Sequence, residues 1–354
     1  MSYRHRETRD NFSGGFNSRD NDKHLEDIES PNMRNTIMGK RGSIEPRPGT
    51  VAIADEPVGT IHDGAYPPVT SLYEYSTFGG VSYLIAFAGN ELKRLSVSTW
   101  ALINDTLSRD TFLEFVTYPI VPYDNPTMNC LFVNGRDGYW QTDAITASEV
   151  TPYIPLVHTI EGVDYDEEIE IGACHIPSRP RYIEIFDNRV WLAHVEGARN
   201  RVYMNVDDLF GNSMYNYFTH WSWLRIANTR GESITGIKAF KNTLYVFTPT
   251  TIHAIYPSQP IEIEDVVYTP PSYEVVEISS NIGSVAQRTI KEVRGNLMFM
   301  GIDGVYMFDG TSAPFKVSQR IDPTLDMVDH DNWNRACSSI WKYKYFLSVP
   351  MRSG

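Results

Sequence analysis

"GNLMFMGIDGVYMFDG" spans Gly295–Gly310. It reads as an apolar strand, an Asp-Gly turn, and a second apolar strand ending in another Asp-Gly. Asp-Gly between two apolar runs is the strongest short-range hairpin signal. Whether this hairpin stands alone or repeats decides the fold.

It repeats. "EVRGNLMFMGIDGVYMFDG" (Glu292–Gly310) adds a strand end and an Arg-Gly-Asn turn on its N-terminal side. "AFKNTLYVFTPTTIHAIY" (Ala239–Tyr256) has the same order of strand, turn, strand, turn, strand, and so does "EIFDNRVWLAHVEGARNRVYMN" (Glu184–Asn205). The residues just before the first turn, Phe186, Phe240 and Val293, are 54 and 53 positions apart. Two periods further back lies Phe78, in "TFGGVSYLIAFAGNELKRLSV" (Thr77–Val97), with a Gly-Gly and a Gly-Asn turn. The unit between shows its second hairpin as "CLFVNGRDGYWQTD" (Cys130–Asp143). Its Asp137-Gly138 precedes Asp303-Gly304 by 166 residues, close to three periods. A sixth unit opens with "SSIWKYKYFLSVP" (Ser338–Pro350), 48 residues after its predecessor.

A period near 50 with three or four short strands per unit is the pattern of a β-propeller. The expected fold is therefore all-β and propeller-like, with about six blades of three to four antiparallel strands. A β-sandwich of unequal strands is the alternative. The sixth unit reads as incomplete, so a strand at Thr50–Ala54, "TVAIA", is expected to complete it, unless the chain continues or the ring stays open. Residues 46–354 form this body, and residues 1–45 read as an extended polar N-terminal arm. The arm is too poor in apolar residues to build its own core, although a short helix around Asp27–Met38 fits its pattern. Long runs of helical periodicity are missing, so helix is expected to be scarce.

The 354 residues are 42% hydrophobic and 12% aromatic, a globular composition rich in strand formers. The net charge is −13, which disfavours non-specific wrapping of nucleic acid. Residues 1–50 hold nine Lys/Arg and eight Asp/Glu, about +1, leaving 22 against 36, or −14, for the body. Three well-separated cysteines, Cys130, Cys174 and Cys337, argue against both a disulfide framework and a zinc site. The start, MSYRHRETRD, lacks the apolar core of a secretory signal, and the longest apolar runs are far too short to span a membrane.

Chemistry-bearing motifs are sparse. Asp164, Asp166 and Glu168 alternate in the acidic run Glu161–Glu170, but the run lacks the Gly and the twelfth-position Glu of a calcium loop. It is expected to be a solvated connection. Cys174 and His175 are adjacent, so on a strand they point to opposite faces. HExxH, GxSxG and phosphate-loop patterns do not occur. "GRDGYW" (Gly135–Trp140) fails the Asp-box spacing of sialidase-like propellers. No catalytic residue, cofactor site or metal site is expected. The densest aromatic patch is "NYFTHWSWLRI" (Asn216–Ile226), where Trp221 and Trp223 are expected to share one strand face, either as packing between blades or as an interface or sugar platform.

The order of motifs resembles the β-propeller structural proteins of tailed bacteriophages, the group that includes tail nozzle and hub proteins. The matching words are "FSGGFNSRDND" (Phe12–Asp22), "KRGSIEPRPGT" (Lys40–Thr50), "RVYMNVDDLFGN" (Arg201–Asn212), the hairpin Ile234–Ile255, the blade Gly283–Gly310, and "YKYFLSVP" (Tyr343–Pro350). The resemblance covers most of the chain and implies a non-enzymatic virion protein of the tail or neck. It would be a homo-oligomeric ring that contacts other tail or connector proteins, lets genomic DNA pass without binding it specifically, and has no membrane anchor. An acidic lumen would repel the phosphates of passing DNA. The expected interface residues are Phe12, Phe16, Arg19, Lys40, Arg41 and Arg47 of the arm, with Trp221 and Trp223. The competing expectation is a host-surface or carbohydrate-binding propeller, possibly hydrolysing glycans, which needs exposed aromatic platforms and paired carboxylates.

Overall fold

A strand packed on both faces does not alternate apolar with polar residues, whereas a strand at a sheet edge is free to do so. "SYLIAFA", "TMNCLFV", "RVWLAHV" and "TLYVF" are such runs, and each is the second strand of a four-stranded antiparallel meander. The computed structural model describes residues 15–20, 29–30, 36–38, 44–46, 52–120, 127–152, 175–207, 214–219, 221–227, 230–258 and 272–352. It divides into two compact units, Ile53–Gln287 and Met1–Ala52 with Arg288–Gly354.

In chain order, the second unit begins with β1 (Gly15–Phe16), β2 (Glu29–Ser30), β3 (Thr36–Met38) and β4 (Ile44–Pro46). β1 pairs parallel with β2, and β3 antiparallel with β4. The unit Ile53–Gln287 then holds four sheets. The first is β5 (Val69–Ser76), β6 (Ser82–Ala88), β7 (Glu91–Ser96) and β8 (Thr99–Asn104). The second is β9 (Glu114–Ile120), β10 (Thr127–Val133), β11 (Tyr139–Thr142) and β12 (Ala147–Glu149). The third is β13 (Tyr182–Phe186), β14 (Arg189–Val195), β15 (Ala198–Met204) and β16 (Trp223–Arg225). The fourth is β17 (Gly236–Phe240), β18 (Thr243–Phe247), β19 (Ile252–Ser258) and β20 (Ser272–Ser279).

The first strands of neighbouring sheets lie against one another, β5 by β9, β9 by β13 and β13 by β17. The fourth strands are therefore the outer edges. Successive residues of a strand face opposite ways, and each second strand uses this to join two cores. Cys130 and Phe132 of β10 cluster with Ile85 and Phe87 of β6, while Leu131 and Val133 cluster with Val190 and Leu192 of β14. The other face of β14, Trp191 and Ala193, clusters with Leu244 and Val246 of β18.

The second unit carries a fifth sheet of the same topology: β21 (Lys291–Val293), β22 (Asn296–Met300), β23 (Val305–Phe308) and β24 (Phe315–Lys316). A hairpin follows, β25 (Cys337–Trp341) with β26 (Lys344–Ser348). It is tied to the fifth sheet through Thr289, whose carbonyl accepts from the Tyr345 hydroxyl at 2.7 Å. The fold is thus all-β and propeller-like, with five four-stranded blades where about six were expected. The sixth repeat supplies two strands, and among the described residues no further strand pairs with them. The single described α-helix, α1, covers Asp322–Leu325.

The repeated first turn has one geometry. Asp187-Asn188, Lys241-Asn242, Arg294-Gly295 and Lys342-Tyr343 all have two consecutive positive φ angles, the signature of a two-residue type I′ turn. Tyr343 at φ 63° is the costly member. The Arg294 guanidinium lies 5.9 Å from its ring centroid. Phe78 falls inside the corresponding turn of the first sheet, 66% exposed, instead of ending its strand.

Three local expectations change. The helix around Asp27–Met38 is replaced, where described, by β2 and β3. An arm segment whose backbone groups lack enough neighbours for a stable helix can still satisfy them by pairing. Ala52–Ala54 of "TVAIA" lie outside any strand, and Thr50 and Val51 lie outside the described residues. The Asp-Gly between β22 and β23 belongs to a four-residue loop, Gly301–Gly304, closed by Gly301 N–H to the Gly304 carbonyl at 2.8 Å. A Cβ on Gly304 would come 2.4 Å from both Lys316 Cε and Ser318 Oγ, so a larger residue there would have to displace these two side chains.

Trp191 is fully buried, and its indole N–H donates to the Phe186 carbonyl at 3.0 Å. Trp191→Ala should lower unfolding free energy by about 3–5 kcal/mol, read as a lower urea midpoint at unchanged slope. Trp221→Ala, at an exposed site, should stay within about 0.5 kcal/mol of the parent.

Candidate functional site

In a four-stranded meander, the turn between strands two and three lies at the same end as the connection to the next sheet. At this end of the second and third sheets, within the unit Ile53–Gln287, lies a cleft of about 670 Å³. Four short segments build it: Ser108–Phe112 before β9, Asn134–Arg136 after β10, Arg179 and Arg181 before β13, and His194–Glu196 with Arg199 around the β14–β15 turn. A second hollow of about 630 Å³ shares Arg136 and Arg179 with it.

Hydrogen bonds stitch the segments together. Asp137 accepts from Ser108 N–H at 2.7 Å, from Asn134 Nδ2 at 2.6 Å, and from the Ser108 hydroxyl. Asn134 Oδ1 accepts from the backbone N–H groups of Arg136 and Asp137, both at 2.9 Å. Gly135 N–H donates to the Pro180 carbonyl at 2.9 Å, and Glu196 N–H to the Ser178 carbonyl at 3.0 Å. Asp137-Gly138 is therefore a turn whose carboxylate is spent on neighbouring donors.

The charged groups of the cleft are unequal in number. Arg136, Arg179, Arg181 and Arg199 face Asp110 and Glu196. Arg179 pairs with Glu196 at 3.1 Å. The guanidinium of Arg181 sits 5.6 Å from the Tyr182 ring centroid. Among the described residues, Arg136, Arg181 and Arg199 make no ion pair. His194 occupies a left-handed conformation, φ 57°, at a bulge in β14, and its Nδ1–H donates to the Ile234 carbonyl at 2.7 Å. Burial pulls its pKa below the usual imidazole value; the Ile234 bond opposes this, and Arg181 and Arg199 add to the fall. The imidazole is thus neutral near pH 7, with Nε2 left as an acceptor.

None of these residues was expected from the sequence. Of the expected interface residues, Phe12, Lys40, Arg41 and Arg47 lie outside the described residues, as do Cys174 and the acidic run Glu161–Glu170. Phe16 is half-buried and Arg19 exposed. The segment between them docks within its own unit: Ser18 N–H donates to the Arg320 carbonyl at 2.9 Å, and its hydroxyl meets that of Thr324 at 3.1 Å. Trp221 and Trp223 do not share a strand face. β16 starts at Trp223, and Trp221 sits in the preceding turn, where the Ser222 hydroxyl accepts from the Thr219 backbone N–H at 3.0 Å and donates to the Thr219 carbonyl at 2.9 Å. Trp221 is 43% exposed, and Trp223 is half-buried with Arg201 3.7 Å from its ring centroid. Neither lines the two hollows described.

Asp303, in the opening hairpin, has structural partners. Its carboxylate accepts from the Tyr306 hydroxyl at 2.7 Å and from Lys316 Nζ at 3.3 Å. Burial alone would raise its pKa, but Tyr306 and Lys316 together hold it below the usual carboxylate value. Among the described residues, no three His, Cys, Asp or Glu side chains are grouped to hold a metal, and no helix is long and apolar enough to cross a membrane.

No protein-family model matches the chain, and no curated protein does. Among solved structures it is similar to the extracellular domain of a protein described as a one component system from B. thetaiotaomicron, at 11% identity and TM-score 0.36, covering 72% of this chain and 36% of that one. It therefore spans about a third of the length of that structure. It is also similar to the Swd1 β-propeller domain of Myceliophteria thermophila, at 11% identity and TM-score 0.39, covering 70% of this chain and 72% of that one.

Two outcomes follow from these environments. Asp303→Asn should be less stable than the parent at pH 7. The depressed carboxyl stabilises the fold above its unfolded pKa, and that contribution disappears as pH falls through the lower folded value. Urea melts across pH 7 to about 2 should therefore show the gap closing in acid. Cys130 is buried, and burial pushes its thiol far up; Cys337 is exposed. Mass-spectrometric mapping with a thiol reagent should find Cys337 modified promptly and Cys130 only at the rate of unfolding.

Proposed function

We propose that the chain is a non-enzymatic structural protein of a tailed-phage virion, a ring-forming part of the tail or the head–tail connector. The observation that carries this reading is the ordered series of motif words. "RVYMNVDDLFGN" starts on β15 of the third sheet, Ile234–Ile255 covers β17, β18 and most of β19, Gly283–Gly310 contains β21 to β23, and "YKYFLSVP" contains β26. The words thus fall on consecutive repeats in the order of the resemblance.

The physical properties suit such a role. Sheets with second strands buried on both faces are stiff blocks, because close-packed interiors deform little. An extended arm can cover a large surface at modest affinity per unit area. The −14 of the body repels DNA that passes nearby. In the test, the mass of the assembled full-length chain is measured and its place in purified particles is imaged by antibody labelling. The expected result is a closed oligomer located at the tail or neck. A monodisperse monomer that never joins particles overturns the reading.

A further inference from the structure

We propose that the arginine-lined cleft between the second and third sheets is a binding site for a small phosphate-bearing ligand. This does not rest on the virion reading, because a cleft of this kind can serve a protein in any assembly.

The first support is charge against background. A chain of net charge −13 would be expected to line a random hollow with acid. This one is lined by four arginines and two acids. Removing the Arg179–Glu196 pair leaves three guanidinium groups and Asp110, a surplus of two positive charges. Like charges held in one cleft repel, and an arrangement that keeps them there without a counter-charge lowers stability. A phosphate monoester carries about −1.5 to −2 near neutral pH and matches the surplus, whereas one carboxylate supplies about −1. The planar guanidinium fork also suits phosphate oxygens geometrically.

The second support is a preformed wall. The turns that carry Arg136 and Arg181 are tied by the Gly135 to Pro180 hydrogen bond at 2.9 Å. Arg181 is further held by its N–H to the Ala193 carbonyl at 3.1 Å. Less loop freedom is then lost on binding. The third support is size and a neutral acceptor. About 670 Å³ falls in the range of small-ligand pockets, and His194, with Nδ1–H committed to Ile234, offers Nε2 to a ligand hydroxyl.

The test is isothermal titration of the full chain with inorganic pyrophosphate at low ionic strength. Arg181→Gln and Arg199→Gln should each weaken saturable binding about tenfold or more, since one charge-assisted bond is worth at least that. Arg199→Lys should fall between the parent and Arg199→Gln, and Arg225→Gln, on the outer strand β16, should bind like the parent. Arg136→Gln leaves the Arg181–Tyr182 contact in place and keeps the test open if Arg181→Gln fails to fold. Three results would overturn the proposal: no saturable binding of pyrophosphate, equal weakening by Arg225→Gln, or citrate binding as tightly as pyrophosphate. Binding of an oligonucleotide without any binding of pyrophosphate also overturns it.

Discussion

The structure depends on the two-sided burial of the second strand in each sheet. Val190, Trp191, Leu192 and Ala193 are all fully buried, yet alternate residues belong to different cores. One strand therefore joins its sheet to the sheet before and the sheet after. Neither the second nor the third sheet can shift without exposing apolar side chains on two sides. At about 25 cal/mol per Å² of apolar surface, the interfaces dominate the stability of such a fold over any single ion pair. The Lys238–Glu184 bridge, at 2.8 Å between neighbouring first strands, is an addition to that burial and no substitute for it.

This constraint also explains what could be read from the sequence. Second strands are uninterrupted apolar runs, so "LIAFA", "CLFV", "VWLA" and "LYVF" are visible by composition alone. The I′ turns before them need positive φ at two positions, so Asn and Gly mark Asp187-Asn188, Lys241-Asn242 and Arg294-Gly295. Period and turn register were legible for that reason. Fourth strands were not. β12 and β16 are three residues each and β24 is two, with one edge unpaired and little burial to impose a pattern. The sixth repeat, read as incomplete, contributes the single hairpin within Ser338–Pro350, and the strand expected at Thr50–Ala54 to complete it is not seen among the described residues. Lys342-Tyr343 shows the converse, a turn of the same geometry that residue preference argues against.

The cleft was illegible for a different reason. Its side chains come from four segments spread between Ser108 and Arg199. Each arginine, read singly, is an ordinary solvated residue. Only the topology makes them neighbours, by placing second turns and inter-sheet connections at one end. The bulge at His194 adds a position that strand alternation cannot anticipate, since an extra residue re-aims the side chain. For Trp221 and Trp223 it is the expected shared strand face that changes. Trp221 and Trp223 are two apart, but the turn at Thr219–Ser222 ends just before Trp223, so strand spacing does not apply to the pair.

Net charge describes how the whole molecule meets a distant partner, and local charge describes what a hollow will hold. With a Debye length of about 8 Å at physiological salt, the acidic surface elsewhere is largely screened from the interior of a cleft. A body of −14 and an arginine cleft are therefore compatible on one chain. The frame is fixed by cores that involve none of Arg136, Arg181, Arg199 or Asp110. Changes in these loop residues leave the cores intact, which is the usual division between a rigid scaffold and the loops it presents. The backbone ties at Gly135 and Glu196 then transmit the scaffold's rigidity to the cleft without using any of the side chains that line it for their charge.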